Sequence, residues 1–158
     1  MEVVVRPARP EDGEQVAEVS TLATATLRET YRPTEAALGR SRAGASRTTR
    51  LVAVLNGRIV GTTKYEIRKD GIHLIGLGVH PQFRRMEIAR KIIEHVKRIA
   101  QAKGHTLVSL YTIRETGNVG IFQKLGFEVV REQEAKDALS EKHDNLTDVY
   151  MQMSVSNG

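Results

Sequence analysis

The chain is 158 residues long, enough for one domain with a proper core. Apolar residues make up 40% and charged residues 27%, the balance of a soluble globular chain, and no apolar run approaches a membrane span. The start, MEVVVRPARPEDGEQ, lacks the layout of a signal peptide, and the absence of cysteine excludes disulfides, thiolate metal sites and a covalent cysteine acyl-enzyme while fitting a reducing cytoplasm.

Net charge is +5, with a pI near 9.7. Such a balance suits a polyanionic small ligand and also suits nucleic acid. Against nucleic acid, Lys and Arg are spread along the chain, aromatics are 4%, and no nucleic-acid motif occurs. The local basic enrichment of Arg40, Arg42, Arg47 and Arg50 lies in a Gly/Ser/Thr-rich stretch, read as a mobile loop with a dedicated binding patch as the alternative.

In chain order, residues 2–6 form a short strand ended by Pro7. Pro10 to Gly13 open a helix with acids near its start and an apolar stripe of Val16, Val19, Leu22 and Ala23. Helical pattern resumes at 25–31, and Pro33-Thr34-Glu35 open a short helical piece to Leu38. Residues 39–49 are the basic loop. Residues 51–55 and 59–67 are strands joined by the hairpin signal Asn56-Gly57, and Lys69-Asp70-Gly71 is a second tight turn. Residues 72–79 are a buried strand, stopped by Pro81. From Met86 a long helix follows, with Ile88, Ile92, Val96 and Ile99 on one stripe and Lys103-Gly104 at its end. A strand at 106–113, a short helix at 118–125, a strand at 127–131, a polar stretch at 135–144 and a strand at 145–155 complete the chain. The sum is an α+β layer fold with a mixed, mostly antiparallel sheet, in one domain without repeats.

The strand–turn–helix unit at 72–103 offers an anion site, because the first helical turn has free N–H groups and Arg84, Arg85 and Arg90 stand at or near its entrance. The alternative is a plain packed βα unit with solvated arginines. Gly76 and Gly78 signal either a bulge, expected in Leu77-Gly78-Val79, or packing under a neighbouring helix. A dinucleotide fingerprint fails, since its third glycine position is Pro81.

Leu77-Gly78-Val79-His80-Pro81 followed by Arg84-Arg85-Met86-Glu87-Ile88-Ala89 resembles the acetyl-CoA motif of the GNAT N-acetyltransferases, an L-A-V-x-P strand end and then [QR]-x-x-G-x-[GA] opening a helix. Glu87 stands where that pattern has its central glycine. Asn118 with Ile121 to Phe127 resembles the family segment N-x-x-[LI]-[YF]-x-K-L-G-F. The resemblance runs from about Leu51 onward. It implies a GNAT-like fold with helices on both faces of a sheet splayed at a bulged central strand, and acetyl-CoA wedged into the gap as cosubstrate. The cofactor-binding residues it implies are Leu77, Gly78, Val79, Arg84, Arg85, Met86, Glu87, Ile88, Ala89, Arg90, Asn118, Phe122 and Lys124. The acceptor pocket would be built by segments near 26–39 and 135–144.

Acetyl transfer to an amine needs a base, an oxyanion donor and a tolerated thiolate. The resemblance puts His73 at the position of the family's base, with a hydrogen-bonded strand histidine as the alternative. The oxyanion donor would be a backbone N–H near Val79. The family's tyrosine acid is replaced by Phe122, which leaves Tyr111, a core aromatic on the other reading, as the candidate acid. Glu87 either turns outward towards Lys91 or repels phosphate. His80, His95, His105 and His143 show no ligand spacing, so no metal is expected. The expected function is an acetyl-CoA-dependent N-acetyltransferase moving an acetyl group directly to a primary amine of a small molecule or protein. The alternative is a catalytically weak or inactive acyl-CoA-binding module. Neither nucleic acid nor membrane is an expected partner, a homodimer is the family default, and the cytoplasm is the expected location.

Overall fold

The structure, a computed structural model, describes residues 2–84 and 87–156. Its elements are β1 (Val3–Pro7), α1 (Gly13–Thr30), β2 (Arg32–Pro33), α2 (Glu35–Ala43), β3 (Thr48–Leu55), β4 (Arg58–Ile67), β5 (Gly71–Val79), α3 (Ile88–Ala102), β6 (Leu107–Ile113), α4 (Asn118–Lys124), β7 (Glu128–Glu134), β8 (Ala138–Leu139) and β9 (Thr147–Ser154). Seven strands form one sheet in the order β1-β3-β4-β5-β6-β9-β7, and β2 pairs with β8 in a separate ribbon. Every pairing is antiparallel except β5 with β6. No helix among the described residues is long and apolar enough to cross a membrane.

The two faces of the sheet are covered differently. On one, α3 lays its stripe of Ile88, Ile92, Ile93, Val96 and Ala100 against Leu51, Ala53, Val60, Ile72, Leu74 and Val108. Met151, Met153 and Val149 of β9 join the same core, so the alternation read in that strand is its burial pattern. On the other face, α1 sets Val19 over Val52 and Ile59. The backbones come close on both sides. A Cβ on Gly61 would lie 2.8 Å from Ile88 Cγ2 under α3, and one on Gly78 would lie 2.8 Å from Ala23 Cβ under α1.

Several boundaries differ from those expected. Residues 13–30 form one continuous helix, because nothing between Leu22 and Ala25 breaks it and Leu22 is simply left on its outer side. The supposed loop at 39–49 is partly helical: α2 runs on to Ala43, with the Thr34 hydroxyl accepting from the Ala37 N–H as its cap. Residues 135–144 hold the short β8 and no helix. Strand β7 runs to Glu134, three residues beyond Arg131. The long helix begins at Ile88; the expected start at Met86 lies outside the described residues.

Candidate active site

Strand β5 is the element on which the site is built. Beside β4 its register runs Ile67↔Ile72, Glu66↔His73, Lys64↔Ile75, Thr62↔Gly78 and Gly61↔Val79. Gly76 and Leu77 therefore oppose Thr63 alone. Gly76 has φ +68, the left-handed conformation that opens a glycine bulge. The bulge thus sits at Gly76-Leu77, one residue earlier than expected from Leu77-Gly78-Val79, because Gly76 supplies the positive φ and Gly78 is instead the packing glycine beneath Ala23. One glycine takes each of the two roles that the sequence offered for both.

On its other side β5 pairs with β6 only over Gly71–His73 against Leu107–Ser109. Beyond that, β6 stays with β9 through Ile113 while β5 continues to Val79 with β4 as its one partner. The sheet therefore opens between β5 and β6. The His80 N–H donates to Val60 O at 2.8 Å, on the β4 side. Alternation along the strand then turns the Val79 N–H towards the opening.

At the vertex stands His73, 5% exposed. Its Nδ1 lies 2.8 Å from Ser109 Oγ, directly across β6. Burial, and next the Arg68 charge, lower its pKa from 6.5 to about 4, so it is neutral at neutral pH. All fully buried side-chain nitrogens and oxygens among the described residues have hydrogen-bond partners. Nε2 of His73 makes no hydrogen bond, so it keeps access to solvent. On the same face, the Tyr150 phenol of β9 accepts from Gln152 Nε2 at 3.1 Å. Burial raises the Tyr150 pKa, but the hydrogen bonds with Ser109 and Gln152 and the Arg131 and Arg68 charges outweigh it and leave the phenol lowered. The Arg131 guanidinium lies 4.3 Å from the centre of the Tyr150 ring.

Tyr111 is not a core aromatic. It is 43% exposed, edge-on to His73 with ring centroids 5.6 Å apart, and its hydroxyl accepts from Arg131 Nη2 at 3.0 Å. Its place two residues beyond Ser109 puts it on the His73 face. Phe122 packs edge-on against Phe127 at 6.0 Å beside the main core. Asn118 is the first residue of α4, after Gly117 at φ +85. Leu77 is half-buried between the two parts of the α3 core, and Lys124 is exposed.

At the α3 entrance, Arg84 is exposed and extended, and Arg85 and Met86 lie outside the described residues. Ile88 is buried in the core, so its backbone N–H is what it can offer a ligand; Ala89 is half-buried. Glu87 is the helix N-cap at φ 61, ψ 20. Its carboxylate bonds Arg90 Nε at 2.6 Å rather than Lys91, since Arg90 at i+3 faces it across the first turn. A left-handed backbone at this residue explains why a glycine suits the position. Glu87→Gly is accordingly expected to stabilise the fold by about 1 kcal/mol, read as a higher Tm; an unchanged or lower Tm would deny the strain. The exposed Glu87–Arg90 pair offsets little of this.

The segments near 26–39 and 135–144 meet. β2 pairs with β8, the Thr34 N–H donates to Asp137 O, Ser140 Oγ donates to Thr30 O and Arg40 Nη2 bonds Asp137 at 2.5 Å. Between them is a cleft of about 320 Å³ whose walls include Arg28, Tyr31, Arg32, Leu139 and Lys142. Among the described residues no three His, Asp or Glu side chains are grouped to hold a metal ion, and His80 is occupied by Arg58 Nη2 at 3.2 Å and the Gln82 N–H at 3.1 Å.

Sequence reasoning did not find Ser109, Tyr150, Gln152 or Arg131. Their signal was strand alternation, but it needs the β6–β9–β7 order, which no local motif carries.

A family model, Acetyltransferase (GNAT) family, matches residues 16–127, and the chain belongs to that family. Solved structures share the fold. The ribosomal-protein-S18-alanine N-acetyltransferase from Escherichia coli is 15% identical with a TM-score of 0.75, covering 98% of this chain and 95% of that one. The PaiA N-acetyltransferase from Thermoplasma acidophilum, in complex with coenzyme A, is 17% identical with a TM-score of 0.73, covering 98% and 99%. YncA from Salmonella typhimurium, with acetyl-CoA, is 16% identical with a TM-score of 0.72, covering 100% and 96%.

Proposed function

We infer that the chain is, as a single domain, an N-acetyltransferase that takes the acetyl group from acetyl-CoA and passes it directly to a primary amine. The observation that carries this is the opening between β5 and β6, with a neutral, solvent-reached histidine at its vertex and a free strand N–H on its edge. The residues fit acetyl-CoA. The opening is lined by strand backbone, the first turn of α3 has N–H groups without intrahelical partners, and Arg84 adds charge beside it. Leu77 and Phe122 would flank the pantetheine, and Asn118 at the start of α4 would hold it by its amide.

Acetyl-CoA supplies an activated acyl carbon and a thiol leaving group of pKa around 8.5. The Val79 N–H donates to the acetyl oxygen as negative charge builds there. His73 Nε2 takes the proton from the amine nitrogen, which becomes strongly acidic only as its bond to carbon forms, so even a weak base suffices there. The hydrogen on Nδ1 is held by Ser109, which accepts from the ring as it takes on charge. Tyr111 is the phenol placed to protonate the thiolate, as Phe122 has no proton to give.

The second reading, an acyl-CoA-binding module without turnover, rests on Phe122 and Glu87 alone. Calorimetric titration with acetyl-CoA, then free-thiol release with an amine panel, separates the two. Binding with amine-dependent release is the expected result. Binding without release across the panel would favour the module, and no binding would remove both. A cytoplasmic location goes with this reading.

A further inference from the structure

On the face that carries His73, two cations stand side by side with no anion among the described residues paired to either. Arg50 of β3 and Lys64 of β4 are direct cross-strand partners. Like charges placed so are destabilising. Both are half-buried, and Thr62 Oγ1, fixed in turn by Leu51 O, takes one hydrogen bond from Arg50 Nη1 at 3.0 Å. Among the described residues neither has a carboxylate within ion-pair distance. Glu66, two residues along the same face from Lys64, is engaged with Arg68 at 3.6 Å. Burial lowers the pKa of each, and Arg50 lowers that of Lys64 further, so both cations are held at a cost.

The pair is close to the chemistry. Since Lys64 faces Ile75 and Glu66 faces His73, Lys64 and His73 are diagonal neighbours on adjacent strands, about 7–8 Å apart. An amine at His73 Nε2 would therefore bring a substituent a few bonds away onto the Arg50–Lys64 pair. A carboxylate or phosphate there replaces the repulsion between the cations with charge-assisted hydrogen bonds.

We propose that Arg50 and Lys64 form an anion subsite of the acceptor site, so that the amine acetylated here is a small molecule carrying a carboxylate or phosphate near its amino group. This rests on the transferase reading above. It goes beyond it by naming the acceptor's second functional group, which neither the sequence motifs nor the fold supply.

The test uses amine pairs that differ by the anionic group: ethanolamine with phosphoethanolamine, 2-phenylethylamine with phenylalanine, cadaverine with lysine. Free-thiol release at saturating acetyl-CoA gives kcat/KM for each. The anionic member is expected to lead by about tenfold. Lys64→Met should bring the ratio near one and Lys64→Glu should invert it, with the acetyl-CoA Kd unchanged in both. Losing a like-charged neighbour, Lys64→Met should fold with a Tm at or above that of the parent protein. A ratio near one in the parent, a ratio unmoved by Lys64→Met, no turnover of any anionic amine by protein that binds acetyl-CoA, or a preference for acidic-peptide amines over these small molecules would overturn the proposal. Loss of acetyl-CoA binding in the parent would instead strike the transferase reading, and the subsite with it.

Discussion

His73→Ala is expected to lower kcat about a hundredfold, the lower end of what a positioned general base contributes. The lower end applies because burial and the Arg68 charge leave the imidazole at about 4, a weak base at neutral pH. The same shift fixes the pH profile. His73 must be neutral to accept a proton, so its acid limb falls near pH 4, well below the 6.5 of an ordinary histidine, and the limb disappears in the variant. The acetyl-CoA Kd should not change, since the ring touches Ser109 and Tyr111 rather than the α3 entrance. A loss of only about threefold, or an unchanged profile, would leave deprotonation to water. Stability carries the same signature. The unfolded chain binds this proton below about 6.5 and the folded chain only near 4, so stability falls as pH drops through that window. His73→Ala removes that dependence.

Gly71→Ala is expected to have the largest effect on the fold. A Cβ at Gly71 would lie 2.1 Å from Leu107 O and 2.9 Å from Leu107 C, both backbone atoms of β6. Backbone cannot rotate aside as a side chain can, so the β5–β6 ladder must separate. The pairing is three residues long, Gly71–His73 against Leu107–Ser109, and it is the hinge from which the two strands diverge. The expected cost is about 3 kcal/mol, a Tm lower by on the order of 10 °C. Gly61→Ala is the comparison. Its Cβ would meet side-chain methyls, Ile88 Cγ2 at 2.8 Å and Ile92 Cδ1 at 3.1 Å, with the nearest backbone atom, Gly78 O, at 3.4 Å, so the cost should be smaller. Equal effects would mean that the β5–β6 contact is not the tight one. Gly78→Val should also act on folding, because Ala23 Cβ lies 2.8 Å from the Cβ position and the substitution strikes the α1 contact.

Much of this was legible in the sequence where local chemistry decides structure. Asn56-Gly57 made the β3–β4 turn, with both residues at positive φ. Pro81 ended β5, and the 3.6-residue stripe of α3 is the stripe that the core buries. The motif residues marked the strand that carries the opening. What the sequence hid depends on pairing between distant segments. The side of β5 on which each glycine acts is set by α1 and β4, neither of which Leu77-Gly78-Val79 can report. Tyr111 could be read as the candidate acid or as a core aromatic because a strand's two faces look alike until its neighbours are known, and Ser109 and Tyr150 were invisible for the same reason. Glu87 looked like a fault in a phosphate motif. Its left-handed backbone shows that the position needs a glycine-like conformation, which this chain adopts with a glutamate.

The central claim is that acetyl-CoA enters between β5 and β6. Amide chemical shifts of 15N-labelled protein, followed during titration with acetyl-CoA, test it residue by residue. Val79, Leu77, Ile88 and Asn118 are expected to move together while β1 and the β2–β8 ribbon stay still. Shifts gathered elsewhere, or none at saturating ligand, would contradict it.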